Sequence, residues 1–241
     1  MSEVKEELPL FAPIEAEVLD YMGGTTRVTN VARVSHDKWV SPEPITPTPK
    51  DERLFSFLAD AEPQHWSPFA HVIVQMRCRA PIFVARQWFK STVGVVRNEE
   101  SRRYIDGDVQ FWVPQLFHKR PAENIKQGSG ELFDVDAQAT LLDIAVNEAG
   151  RLRRLYNDLI DVGMAPEEAR MFLPQNTLVT WIETGSLWYV KRVLELRSHS
   201  SGAQKSGTVE LADKVFVALA QEGGIGDAIK RLCPDRERFI K

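Results

Sequence analysis

The chain has 241 residues, 43% of them apolar and 27% charged, with a formal net charge of −4. That is enough apolar material for a buried core. No membrane-length apolar run, internal repeat or glycine- and proline-rich linker divides it, so a single domain over residues 1–241 is expected. The acidic balance argues against a nucleic-acid partner, whose affinity rests on phosphate neutralisation, and residues 1–8 carry no cationic, apolar leader, so a cytoplasmic protein without membrane attachment is the default expectation.

Residues 1–12 read as a tail. Ile14 to Met22 is rich in strand formers and stops at Gly23-Gly24, and Thr29-Asn30 offers a cap for a short helix through Ser35. Pro42, Pro44, Pro47 and Pro49 impose an irregular connection up to a helix over Asp51 to Ala61. Ala70 to Arg79 alternates with the period of a strand, and Pro81 suits the first turn of a helix reaching Lys90. Ser91 to Asn98, with Gly94, reads as loop, followed by short extended pieces over Ser101 to Asp106 and Val109 to Val113.

Residues 115–130 have the composition of a mobile loop, either a lid or simple surface irregularity. Glu131 to Val162 predicts a long helix whose stripe of Val135, Leu141, Leu142, Ala145, Val146, Leu152, Leu155, Tyr156 and Leu159 is core. Pro166-Glu167-Glu168 starts a short helix that carries Arg170 and ends by Pro174. Asn176 to Ile182 then reads as a strand and Thr184-Gly185-Ser186 as a cap. Helices follow over Leu187 to Leu196, Thr208 to Ala220 and Asp227 to Leu232. The class is α+β, mixed strands with long helices packed on them.

Cys78 and Cys233 have neither metal nor redox spacing, and Cys78 alternates with Val72, Val74 and Met76 as a buried small hydrophobe would. No bound metal is expected, because the five histidines show no helical pairing and no cysteine cluster. No Gly-x-Gly-x-x-Gly follows a strand. The densest chemistry lies between Arg86 and Tyr104, where four arginines surround Glu99, Glu100 and Ser101. Arginine forks suit phosphate or carboxylate, so the run reads either as an anion-handling site or as a solvated charged turn.

The segment Ala80-Pro81-Ile82-Phe83-Val84-Ala85-Arg86-Gln87-Trp88-Phe89, followed by Asn98-Glu99-Glu100-Ser101-Arg102-Arg103-Tyr104, resembles the signature of the flavin-dependent thymidylate synthases. Upstream, Gln64-His65-Trp66-Ser67-Pro68-Phe69-Ala70-His71 is similar to that family's Gly-His-x-Ser-Pro-Phe-Glu-His element. Downstream, Ala169-Arg170 with Leu173-Pro174, and Leu196-Arg197 with Ala203-Gln204, resemble its later blocks. Four blocks stand in the family's order across most of residues 13–222. Two departures matter: Lys90-Ser91-Thr92 replaces the family's Arg-His-Arg in a loop one residue longer, and Ser198-His199-Ser200-Ser201-Gly202 is one residue longer than usual.

The resemblance implies a compact subunit, a homotetramer with flavin sites between subunits, and FAD as cofactor. It further implies C5 methylation of a pyrimidine nucleotide with methylenetetrahydrofolate as carbon donor and NADPH as reductant. Substrate contacts are implied from Gln87, Glu99, Glu100, Ser101, Arg102, Arg103, Arg170 and Arg197, and flavin contacts from Ser67, Lys90, Ser91, Thr92, Ser186 and Arg192. Arg197, Ser101 and His65 are the catalytic candidates. Arg197 would stabilise negative charge on the pyrimidine carbonyls. Ser101 is expected to bind phosphate rather than attack, since no base held by a third group is in view. His65 reads either as a cofactor-side group or as a structural histidine.

Because the replaced triplet lies beside the nucleotide pocket, a UMP-preferring methylase of modified-nucleoside or nucleoside-antibiotic biosynthesis stands beside the dUMP enzyme. So does a flavin- and nucleotide-binding protein that has lost turnover. A nucleic-acid binder using Arg97, Arg102 and Arg103 is the reading that the net acidity disfavours.

Overall fold

A computed structural model describes residues 9–61, 65–105, 107–123, 128–198 and 207–240. Its centre is one antiparallel sheet in the order β1-β2-β4-β3, made of β1 (Glu15–Met22), β2 (Ile73–Pro81), β3 (Val95–Glu99) and β4 (Leu178–Ser186). The two-residue period of the chain determines its faces. In β2, Val74, Met76, Cys78 and Ala80 are buried, and in β4 Val179, Trp181, Glu183 and Gly185 point the same way. The register sets Cys78 opposite Trp181 and Met76 opposite Glu183.

The helices in chain order are α1 (Thr25–Arg33), α2 (Pro49–Asp60), α3 (Trp66–Phe69), α4 (Ile82–Trp88), α5 (Val135–Asp161), α6 (Pro166–Ala169), α7 (Leu187–Leu196), α8 (Thr208–Ala220) and α9 (Gly223–Leu232); α4, α7 and α8 pack against the sheet, whereas α5 packs on α6. The main core gathers Phe55, Phe69, Trp88, Trp181, Leu194 and Phe216 among others, each buried side chain worth about 1.5–3 kcal/mol over its exposed state. A smaller cluster of Val109, Phe111, Ala149, Tyr156 and Ala169 lies beneath α5 and α6. Among the described residues no helix is long and apolar enough to cross a membrane.

Several expected boundaries shift for identifiable reasons. Thr29 and Asn30 do not cap α1; they lie within it. Thr29 Oγ1 donates to the Thr25 carbonyl and to Asp51, while Asn30 Nδ2 donates to the Val40 carbonyl and Asn30 Oδ1 accepts from the Val40 amide. Their competence as caps is used to join α1 to other segments. The α2 start carries a capping box instead, with Thr48 and Asp51 exchanging bonds. Ser91 to Asn98 is not all loop, because Val95–Glu99 forms the edge strand β3, a pairing supplied by β4 and invisible in local composition.

The extended pieces over Ser101 to Asp106 and Val109 to Val113 are a turn at Arg102–Tyr104 and isolated bridges of Phe111 with Phe11 and Thr177; Asp106 lies outside the described residues. Phe11 therefore belongs to the fold rather than to a tail. Ser186 alone caps α7, as the last residue of β4 and the one whose Oγ accepts from the Tyr189 amide, and α9 begins at Gly223 rather than Asp227, its first turn masked in the sequence by three glycines around the buried Ile225. Of the expected loop, residues 124–127 lie outside the described residues, while the Lys119 and Glu131 backbones pair beside it.

The largest correction concerns α5. Only Ala149 and Tyr156 are buried along its 27 residues, and Val135, Leu142 and Val146 of the expected core stripe are exposed. Among the described residues it packs on α6, the turn after it and the small cluster of Val109 and Phe111. Amphipathic periodicity identifies a face that needs a partner without saying that the partner is in the same subunit.

Candidate functional site

The signature block spans α4, the loop after it and β3. At the C-terminal turn of α4, the Gln87 carbonyl accepts from Arg197 Nη2 at 2.9 Å, and Gln87 Oε1 accepts from Thr208 Oγ1 at 2.8 Å. Three helix ends thus meet: α4, the C-terminus of α7 and the N-terminus of α8. Gly207 makes this approach possible. It sits at φ +68°, and a Cβ there would lie 2.7 Å from Val84 Cγ2.

Arg197 is half-buried, and its Nε has no partner among the described residues. Burial pushes its pKa below the usual guanidinium range. A desolvated guanidinium with an unused donor is an acceptor-seeking group. Its backbone is held by Arg236, whose Nη2 donates to the Leu194 and Arg197 carbonyls and whose Nη1 pairs with Asp213, so the last carbonyls of α7 are satisfied.

The β3 end faces α4 through electrostatics. Burial raises the Glu99 pKa, Glu100 adds repulsion, and Arg86 opposes both. The Glu100 amide donates to the Thr180 carbonyl at 2.8 Å. Arg102 is committed to the turn that follows: Nη1 and Nη2 donate to the Gly107 and Asp108 carbonyls at 2.6 and 3.0 Å. Arg103 is exposed, with Nε 3.3 Å from Ser101 Oγ and its guanidinium 5.0 Å from the Tyr104 ring centroid. Ser101 Oγ accepts these bonds and has no base beside it among the described contacts.

The remaining candidates are spread along α7 and the elements touching it. Ser186 Oγ accepts from the Tyr189 amide at 3.1 Å, as the α7 cap. The loop of Lys90, Ser91 and Thr92 reaches this helix start through Gly94, whose carbonyl accepts from the Ser186 amide at 3.0 Å. Ser67 is exposed on α3, which packs on α7, and Arg192 is exposed on α7 itself. His65 is exposed with its ring 5.8 Å from Phe57. Arg170 is exposed, donating to the Glu167 carbonyl, and no described contact joins it to the others. Gln64, His199, Ala203 and Gln204 lie outside the described residues.

Beneath the Lys90 loop is a group that sequence reasoning missed. Glu183, 3% exposed in mid-β4, accepts from Trp88 Nε1, Trp181 Nε1, Tyr189 Oη and Arg97 Nε. Burial and then the Glu183 charge push the Tyr189 hydroxyl far up, and burial does the same to Cys78. Gly185 creates the room, since a Cβ there would meet the Tyr189 ring at 2.6 Å. A lone acid in a strand pattern gives no sign of such a cluster. Arg86 and Thr208 were equally silent, one among four arginines and the other at a helix start.

Exposed cations (Lys90, Arg192), hydroxyls (Ser67, Thr92) and an acceptor-seeking guanidinium fit a diphosphate-bearing cofactor and a phosphorylated nucleotide in chemistry. Among the described residues they enclose neither. A cavity of about 760 Å³ borders the C-terminal end of α7, and none of the candidate residues lines it. Among the described residues no group of three metal-ligating side chains converges.

The antiparallel sheet and the helices packed on it define an α+β fold. The same fold occurs in the UMP/dUMP methylase PolB from Streptomyces cacaoi. The form bound with 5-Br UMP matches at a TM-score of 0.76 and 24% identity over 94% of this chain and 96% of that one; the form bound with 5-Br dUMP gives 0.78 over 94% and 97%. Residues 17–221 match the family described as thymidylate synthase complementing protein. Flavin-dependent thymidylate synthases from Thermosipho africanus and Thermosipho melanesiensis are 32% and 30% identical over 183 and 201 residues, 76% and 83% of this chain and the same shares of theirs. That of Wolbachia pipientis wMel is 32% identical over 75% of this chain and 61% of its own length. The chain belongs to the flavin-dependent thymidylate synthase family.

Proposed function

We propose that the protein catalyses flavin-dependent C5 methylation of a uridine monophosphate, dUMP to dTMP or UMP to 5-methyl-UMP, with methylenetetrahydrofolate as carbon donor and NADPH as reductant. The observation that carries this reading is Arg197: desolvated, tied to Gln87 in the signature helix and left with an unused Nε donor. A bound flavin supplies the hydride that no side chain has. The chain's own groups bind and orient. Arg197, Arg103 and Arg170 clamp phosphate or pyrimidine oxygens, and Gln87 sets the Arg197 position. Glu99, Glu100 and Ser101 line the nucleotide loop, whose turn Arg102 closes. Ser67, Lys90, Ser91, Thr92, Ser186 and Arg192 border the flavin, with His65 on the same side.

The reading includes a homotetramer with flavin sites between subunits. It is supported by the open placement of the flavin-side candidates and by the exposed Val135, Leu142, Ile144 and Val146 on α5. Cytoplasmic placement belongs to it, where the nucleotide and folate pools lie.

One observation favours a UMP-preferring variant. The fold is shared with a methylase whose name covers both UMP and dUMP, and the Lys90-Ser91-Thr92 departure begins three residues after Gln87, whose carbonyl holds Arg197. Assays with each nucleotide and all cofactors decide between them. C5-methylated product from at least one is expected; bound nucleotide without product from either would leave a binding protein and end the enzymatic reading.

A further inference from the structure

The loop of residues 90–94 carries three of the proposed flavin contacts, and its backbone is tied down from below. The Lys90 amide donates to the Gln87 carbonyl at 3.4 Å, the Ser91 amide donates to the Trp88 carbonyl at 3.2 Å, and the Gly94 carbonyl accepts from Ser186. The remaining tie crosses the core. Arg97 Nη2 donates to the Ser91 carbonyl at 2.8 Å and to Tyr189 Oη at 2.6 Å, while its Nε donates to Glu183 Oε2 at 2.9 Å.

This is a costly arrangement. Arg97 and Glu183 are opposite each other in the β3–β4 register, both on the core face, with side chains 12% and 3% exposed. The guanidinium lies 5.0 and 5.4 Å from the Phe89 and Tyr189 ring centroids. Two indoles and a phenol supply further donors to the carboxylate, so the charge is fully solvated by the protein. Well-packed apolar residues would stabilise such a core as well or better. What an apolar pair lacks is a donor that reaches the Ser91 carbonyl.

We propose that Arg97, anchored on Glu183, is a positioning residue that holds the 90–94 backbone in the conformation that receives FAD. Lys90 and Thr92 stay exposed above the tether, and Val93 is 86% exposed beside them. The loop's shape is thereby set before any ligand arrives, which reduces the ordering cost of binding. Lysine at 97 keeps a charge near Glu183 but has no planar fork to span carboxylate, phenol and carbonyl together.

This inference rests on the flavin reading above, and its test separates the two. FAD affinity is titrated by fluorescence for the wild type, Arg97→Lys and the charge-neutral double variant Arg97→Met with Glu183→Gln. Hydrogen exchange of the 91–94 amides is followed without ligand, and thermal midpoints report folding. The expected result is at least tenfold weaker FAD binding and at least tenfold faster loop exchange in Arg97→Lys and in the double variant, the latter still melting cooperatively. Unchanged exchange in a folded variant would overturn the tether. Faster exchange with FAD affinity within twofold of wild type would overturn its flavin role. Wild-type protein that takes up no FAD would overturn the proposed function and, with it, the receiving role of the loop.

Discussion

Replacing Arg197 by alanine is the most direct test of the nucleotide site. The side chain makes one described hydrogen bond, from Nη2 to the Gln87 carbonyl, and its Nε is unused. A phosphate or pyrimidine oxygen that accepts from this guanidinium forms a charged hydrogen bond worth about 1.5–3 kcal/mol, or about ten- to 150-fold in Kd for each bond made. The cost to the fold is smaller. Removing the guanidinium takes one hydrogen bond, about 0.5–1.5 kcal/mol net, from a Gln87 carbonyl that still accepts from the Lys90 amide, and the backbone stays held by Arg236. Calorimetric titration of the FAD-loaded protein with dUMP and with UMP should therefore show at least tenfold weaker binding in Arg197→Ala, with a cooperative melt retained. Arg197→Lys should fall between, because an ammonium cannot keep the Gln87 bond and offer a second parallel donor in plane. If both nucleotides bind folded Arg197→Ala within twofold of wild type, the guanidinium is not in the site and the reasoning from its unused donor fails.

Two further outcomes follow from buried titrating groups. Burial alone would raise the Asp51 pKa, but hydrogen bonds from Thr48, Arg33 and Thr29 outweigh it and hold the carboxyl near about 2 against an ordinary 3.8. A depressed native pKa contributes stability above the unfolded value and loses it as pH falls, here about 2 kcal/mol between roughly pH 4 and pH 2. Urea unfolding across that window should show the loss, and Asp51→Asn should remove most of the slope; an unchanged slope would refute the assignment. Burial pushes the Cys78 thiol well up and the Cys233 thiol up to about 12. Alkylation at pH 8 should label neither until denaturant is added, and rapid native labelling of either would contradict its buried, protonated state.

Much of this protein is legible along the chain. Alternation in Val74, Met76, Cys78 and Ala80 marks β2 and its inner face, the run from Thr208 to Ala220 marks α8, and proline at Pro49 and Pro166 marks helix starts. These signals are local, since period, cap and turn chemistry act within a few residues, and they are ambiguous at Pro49, which reads as the end of the irregular connection before a helix from Asp51 and is instead the first residue of α2. The spacing of the arginines and the ordered blocks likewise identified the family, which the match over residues 17–221 establishes.

The rest depends on contacts between distant residues. That Val95–Glu99 is a strand follows from β4 lying beside it. That Arg102 spends both Nη groups on a turn while Arg197 spends one on Gln87, each leaving its Nε without a hydrogen-bond partner among the described residues, follows from which carbonyls each can reach. The α5 stripe shows the limit most clearly, since the same periodicity occurs on a face buried in the chain's own core and on one left exposed. Glu183 shows it at one residue. Sequence alone leaves it an acid between a strand ending at Ile182 and a cap at Thr184, and only the packing of Trp88, Trp181, Tyr189 and Arg97 around it makes a buried anion tolerable, because the donors that replace its water come from four separate places in the chain.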